Sequence, residues 1–203
     1  MKILIAIPTY ENIQPETFKS IYNLDTCGHD IIFDYMRGYD VASARNYIAA
    51  RALREETDYV LMVDNDVRIP NDALKNLLEI PVDVCLGFYA HRWGQVFNGK
   101  TNVCRLGEFN YTDMYMADQL RELKEQGVSR EQIHGGGLGC ALIRTDIFKR
   151  IQYPYFKWTH YQDGNVLSED LNFCERCKEL SVPIYVDPRV ACGHLFRTYM
   201  EVK

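Results

Sequence analysis

The 203 residues contain no apolar run near the roughly 20 residues that a bilayer-crossing helix needs. Positive charge is also scarce. Lys and Arg number 23 against 28 Asp and Glu, a net charge of -5, so the chain as a whole has no electrostatic attraction to nucleic acid or an anionic membrane. No internal repeat, low-complexity tract or linker-like stretch interrupts it, and one domain over 1–203 is expected. The opening apolar run is cut by Pro8 and Glu11 too early for an export signal. Seven cysteines, at 27, 85, 104, 140, 174, 177 and 192, are an odd count with no export signal. Reduced thiols and a cytoplasmic setting are therefore expected.

What is present is an alternation of element types. Apolar runs at 2–7, 30–36, 59–63 and 82–89 read as strands. Between them, Pro15 opens a short helix to about residue 24. Small or apolar residues at Val41, Ala44, Ile48 and Ala52 mark a second helix. Asn71 is placed to cap a third, with Leu74, Leu77 and Leu78 on one side. This order predicts an α/β fold with a mostly parallel central sheet and helices on both faces. Residues 91–133 are less regular, with strand-like pieces at 103–106 and 109–111 and a polar helix near 116–126. A glycine run at 135–139 then leads into a strand ending at Ile143, and a short helix starts at Thr145. An aromatic stretch at 153–161 precedes a helix over 168–180 capped by Ser168. A last strand at 184–186 ends the pattern, with Gly193-His194 just beyond.

Chemistry is expected at the carboxyl ends of the strands, where open α/β sheets bind ligands. Asp64-Asn65-Asp66 stands at such an end, directly after Tyr59-Val60-Leu61-Met62-Val63. Two close carboxylates repel, and a hard divalent cation, Mg²⁺ or Mn²⁺, relieves that repulsion. Asp and Asn are also ordinary turn residues. Glu169 and Asp170 lie in the first turn of a helix, where its dipole favours ionised carboxylates able to accept a proton. His194 follows the last strand and offers an imidazole ligand.

Six motifs in this order resemble the GT-A-fold glycosyltransferases, in particular their large inverting family. They are Ile7-Pro8-Thr9-Tyr10, Ala44-Arg45-Asn46, Val63-Asp64-Asn65-Asp66, the glycine run leading to Leu142-Ile143-Arg144, Ser168-Glu169-Asp170-Leu171, and Gly193-His194. The resemblance implies a GT-A, Rossmann-like domain. Residues up to about 90 would form its nucleotide-binding half, and about 91–203 its acceptor and catalytic half. It implies a UDP- or GDP-sugar donor, an Mn²⁺ or Mg²⁺ cofactor and transfer to an acceptor hydroxyl with inversion. Asp66 and His194 would hold the metal, and Asp64 the metal or the ribose. Pro8, Thr9, Tyr10 and Asn65 would contact the nucleotide, along with Arg37 or Arg45. Asp170 would be the catalytic base, with Glu169 beside it for acceptor hydroxyls.

Gly136 and Gly137 would let substrate approach the backbone closely, or else form a tight irregular loop. Tyr153, Tyr155, Phe156, Trp158 and Tyr161 divide between an acceptor platform and core packing. His91-Arg92-Trp93 follows a strand and could face the cleft. Few residues follow His194, so acceptor contacts are expected from the middle insertion or another subunit, or that side stays open. The acceptor classes are a glycan, a protein or a lipid carrier; nucleic acid is disfavoured by the acidic balance.

Two alternatives compete. A sugar-phosphate nucleotidyltransferase would share the sheet, but wants a glycine-rich loop where Pro8-Thr9-Tyr10-Glu11-Asn12 stands. A non-catalytic binding module stapled by zinc would use Cys174, Cys177, Cys192 and His194, whose ligand types suit that metal.

Overall fold

The computed structural model describes residues 1–91, 99–107 and 113–196. The strand expected at 109–111 and the pair Arg92-Trp93 lie outside the described residues. The first part of the chain forms β1 (Lys2–Thr9), α1 (Pro15–Tyr22), β2 (Asp30–Arg37), α2 (Val41–Arg54), β3 (Tyr59–Val63), β4 (Val67–Arg68), α3 (Ala73–Glu79) and β5 (Val84–Phe88). It continues with β6 (Lys100–Arg105), β7 (Met114–Met116), α4 (Ala117–Glu125), β8 (Glu131–Gly136), β9 (Cys140–Arg144) and α5 (Ile147–Arg150). Then come β10 (Thr159–His160), β11 (Val166–Leu167), α6 (Glu169–Glu179), β12 (Ile184–Ala191) and β13 (Gly193–His194).

Among the described residues, nine strands make one sheet in the order β2-β1-β3-β9-β5-β12-β8-β6-β7. The α/β class is as the alternation predicts, and the sheet itself is mixed. β1 runs parallel to β2 and β3, and β5 to β12, whereas β9, β8, β6 and β7 pair antiparallel. Parallel neighbours need a crossover of a dozen or more residues, which α1 and α2 supply for the first three strands. β9 instead follows β8 after residues 137–139 and lies antiparallel to both β3 and β5.

Strand alternation sends side chains to two cores. On one face Leu4, Val60, Met62 and Ala141 pack against Ile48, Ala49 and Ala52 of α2, Phe148 of α5 and Phe173 of α6. On the other, Ile3, Leu61 and Leu142 pack against Leu74 and Leu77 of α3, with Ile21 of α1 at the margin. Helices thus cover both faces. β3 is buried at every position, as its unbroken apolar run requires of a central strand.

The helix starts of α3 and α6 differ in detail from expectation, and that of α2 at Val41 does not. α2 is capped by Asp40, which accepts from the amides of Ala42 and Ser43 at 3.1 and 3.2 Å. α3 starts after Asp72 without a side-chain cap, and the carbonyl of Asn71 is instead taken by the amide of Asp25. Ser168 holds the N-cap position of α6 but does not cap it; its hydroxyl donates to Asp170. Among the described residues, no helix is long and apolar enough to cross a membrane.

Candidate active site

The acidic turn after β3 is held from three sides. The Asp64 amide donates to the Gly139 carbonyl at 3.0 Å, and the Asp64 carbonyl accepts from Val67 at 3.1 Å. Asn65 donates its side-chain amide to the Asn12 carbonyl at 2.8 Å, and its own carbonyl takes the Gln14 amide. Asn65 therefore ties the loop after β1 to the turn. Beyond it, β4 pairs with β13, with Val67 opposite His194 and Arg68 opposite Gly193. That two-stranded ribbon carries the histidine to the acids.

Nε2 of His194 stands 3.6 Å from Asp66 Oδ1. Its other nitrogen, Nδ1, lies 2.8 Å from the Ala90 carbonyl. A carbonyl only accepts, so Nδ1 carries the hydrogen and Nε2 is the nitrogen turned to the carboxylate. Metal-binding histidines are commonly oriented this way by an outer partner. The ring also rests edge-on against Tyr89, with centroids 5.0 Å apart. Neighbouring ligands on a small divalent ion sit roughly 3 Å apart, given bonds of about 2.1 Å. The carboxylate suits Mn²⁺ or Mg²⁺, whereas the imidazole nitrogen is a donor for a transition metal such as Mn²⁺ and not for Mg²⁺. Among the described residues, no cluster of three or more His, Cys, Asp or Glu could hold a metal. By itself the pair is not a closed metal site.

Arg45 explains how the two acidic motifs meet. Its side chain is 2% exposed, and it binds Asp64 at 2.7 Å through one terminal nitrogen and Glu169 through the other. A residue on α2 thereby joins the end of β3 to the start of α6. The guanidinium is committed to these carboxylates, so its expected contact with the nucleotide is not what occupies it here. Arg37, the other candidate, ends β2 opposite Thr9 and is exposed. Burial pushes the Glu169 carboxyl up to about 7, although the Arg45 charge pulls the other way. Burial likewise opposes the charge on Arg45, but Asp64, Glu169 and Asp170 outweigh it and raise its pKa.

Asp170 is half-buried at the start of α6. Oδ1 accepts from the Ser168 hydroxyl and, at 2.7 Å, from the Leu171 amide. Oδ2 faces Gly137, where a Cβ would stand 3.5 Å from it and 2.5 Å from the Tyr89 hydroxyl. At Gly139 a Cβ would meet that hydroxyl at 2.8 Å and Asp64 Oδ2 at 2.9 Å. These glycines admit the Tyr89 hydroxyl, which accepts the Gly139 amide at 3.0 Å. Gly136 lies inside β8, where a Cβ would strike the Asn102 carbonyl at 2.7 Å, so internal packing accounts for it. Tyr89 is the central residue that sequence reasoning passed over. Its place at a strand end was the available signal. Burial raises its pKa well above the ordinary value, with Asp64 and Asp170 adding to it.

Pro8, Thr9 and Tyr10 line a pocket of about 300 Å³ together with Asp64, Asn65 and Asp66. Tyr39, Asp40 and Val41 close its other side. Tyr39 and Asp40 were not foreseen; an Asp just before a helical pattern is the cap signal that marks the latter. Tyr10 is 71% and Tyr39 56% exposed, leaving two rings open to a flat ligand. His91 feels the charges of both His194 and Asp170, after burial as the main cause lowering its pKa. Of the aromatic stretch, Phe156 stacks on Phe173 at 4.9 Å and Tyr155 packs on Phe148 at 5.3 Å. Tyr153, Trp158 and Tyr161 are exposed.

The zinc alternative does not survive. Cys174 and Cys177 are buried in the core beneath α6, whereas Cys192 packs with the core on the opposite face of the sheet. The helix presents its thiols inward, so they cannot converge with Cys192 and His194.

No known family description matches the sequence, and no curated protein matches it. Solved structures do match in fold. The crystal structure of A197 from STIV aligns with a TM-score of 0.63 at 18% identity, over 97% of this chain and 87% of that one. GalNAc-T7, crystallised with UDP, GalNAc and Mn²⁺, aligns at 0.64 and 10% identity, over 96% of this chain. S. aureus TarS 1-349 in complex with UDP-GlcNAc aligns at 0.57 and 17% identity, over 98% of this chain. The chain spans 44% of the GalNAc-T7 chain and 60% of the TarS chain. The fold is that of the GT-A glycosyltransferases.

Proposed function

We propose that this protein is a glycosyltransferase that moves a sugar from a UDP- or GDP-sugar to an acceptor hydroxyl, with metal assistance and inversion of configuration. The observation that carries this reading is the single guanidinium of Arg45 engaging both Asp64 and Glu169. It joins Asp64 at the strand end to Glu169 at the helix start, 105 positions apart in sequence. GalNAc-T7 with UDP and Mn²⁺, and TarS with UDP-GlcNAc, support the donor class by likeness of fold.

In this reading the pocket between Tyr10 and Tyr39 takes the base and ribose. Asp66 and His194 hold the divalent ion, whose charge would offset that of the leaving diphosphate. Asp170 takes the proton from the acceptor hydroxyl, whose oxygen bonds to the anomeric carbon as the bond to the diphosphate breaks. The nucleoside diphosphate leaves from the opposite face, and one displacement inverts the centre. Glu169, buried against Arg45, acts by holding the helix start in place and not by binding the acceptor. Trp158 and Tyr161, exposed just before α6, are suited to stack on an acceptor glycan, with a protein or lipid carrier as the other classes. A nucleotidyltransferase is disfavoured because the loop after β1 has no glycine and is braced by Asn65.

The test is a panel of UDP- and GDP-sugars with Mn²⁺, read by binding and by slow donor hydrolysis, which needs no acceptor. One donor class is expected to bind and hydrolyse in a metal-dependent way. Absence of binding across the panel would overturn the reading.

A further inference from the structure

Arg45 is spent on Asp64 and Glu169, which leaves open which protein cation meets a donor's diphosphate. A cavity of about 180 Å³ has both Asp66 and His194 in its wall, together with Gln14, Thr17, Glu16 and Arg68. Arg68 sits on the same ribbon as His194, one register position away, opposite Gly193. A Cβ at Gly193 would approach Arg68 Nε to 3.3 Å and one terminal nitrogen to 3.5 Å. The guanidinium therefore lies over the bare backbone of Gly193 and shares a cavity wall with Asp66 and His194. Among the described residues no carboxylate pairs with it, whereas Arg51, Arg130, Arg144 and Arg189 all have acidic partners. Glu16 shares the cavity and is exposed, where water screens its repulsion of an anion.

Charge supplies the reason for a second cation. A nucleoside diphosphate carries about three negative charges at neutral pH, and one divalent ion offsets about two of them, leaving about one for a protein cation. A guanidinium matches phosphate oxygens with a planar fork of donors. Resting on the donor-site reading above, we propose that Arg68 is a diphosphate-binding residue, contacting the phosphate oxygens of the donor beside the Asp66–His194 pair.

The experiment compares uridine, UMP and UDP, and the guanosine series, by calorimetric titration with Mn²⁺ against the wild type, Arg68→Gln and Arg68→Lys. Arg68→Gln is expected to weaken diphosphate binding by roughly tenfold to a hundredfold, the usual loss of a hydrogen bond to a charged group. Nucleoside binding should stay unchanged, and Arg68→Lys should recover part of the loss. Thermal unfolding of both variants should match the wild type, since the side chain is exposed. Equal diphosphate affinity in wild type and Arg68→Gln would overturn the role of Arg68 and leave the donor site standing. An equal loss for nucleoside and diphosphate would also overturn it, because the effect would then not be on phosphate. Failure of the wild type to bind any nucleoside diphosphate would overturn the donor reading and this role with it.

Discussion

Two buried arginines organise different parts of this molecule, and their surroundings differ in charge balance. Arg130 pairs with the fully buried Asp187 and donates to the Asn76 and Leu77 carbonyls, each at 2.8 Å. Those carbonyls belong to the last turn of α3, which lacks partners of its own there. Arg189 joins the same Asp187 and also reaches Glu79. Two cations thus meet two anions, and the cluster is closed. Around Arg45 the count is uneven. Asp64 and Glu169 bind it directly, Asp170 adds its field, and Asp66 stands two residues from Asp64. The first cluster is neutral within itself, whereas Arg45 alone meets two carboxylates directly and the field of a third. Buried charge alone does not mark a site, since structural ion pairs are buried as well.

The contrast is broken or sharpened by substitution at each cluster. The largest effect is expected from Asp170→Asn, which should cut sugar transfer by roughly 10²–10⁴-fold, the usual contribution of a positioned base, with little change in unfolding. Undiminished turnover would remove Asp170 from its role. Asp187→Ala should show the reverse pattern. It leaves Arg130 and Arg189 without their shared anion, and denaturant titration should report a loss of about 3–5 kcal/mol, as when one partner of a buried pair is removed. Asp66→Ala should abolish metal-dependent donor binding while leaving the unfolding midpoint near that of the wild type. A collapse of stability instead would make Asp66 structural.

Smaller effects test the supports. Asp40→Ala removes the α2 cap and should cost about 1 kcal/mol, measured by denaturant unfolding. Hydrogen bonds from Ser43 hold the Asp40 carboxyl below its ordinary 3.8. The cap's contribution is therefore present above that value and fades as pH falls below it. Glu169 has the opposite sign. Its carboxyl is raised from 4.5 to about 7, so its protonated form is favoured by the fold. Its stabilising contribution is full below pH 4.5 and is lost as pH rises through 7. Unfolding temperatures of the wild type and Glu169→Gln, followed across that window, should diverge, with the wild type declining relative to the variant. Parallel curves would mean that Glu169 does not titrate there.

Much of the frame was legible along the chain. The apolar run 59–63 is β3 to the residue, and the period through Val41, Ala44, Ile48 and Ala52 is α2. These segments bury whole faces, and burial leaves a periodic mark that local reading detects. β8 was not legible, because His134, Gly135 and Gly136 have neither alternation nor strand-forming side chains. That segment becomes a strand through its neighbours β6 and β12. The antiparallel insertion of β9 between β3 and β5 was equally hidden, since strand order depends on contacts far apart in sequence.

The same division runs through the site. Sequence alone placed Asp64 just past β3 and Asp170 in the first turn of α6, whereas His194, expected beyond the last strand, lies within β13. Tertiary structure decided what each one touches. Arg45 and Glu169 read as contacts for nucleotide and acceptor but are buried against each other, and Gly137 and Gly139 make room for Tyr89. The physical reason is range. Helix periods, caps and apolar runs act over a few residues and are written locally. A buried ion pair between positions 45 and 169 exists only after the sheet has brought its strand ends together.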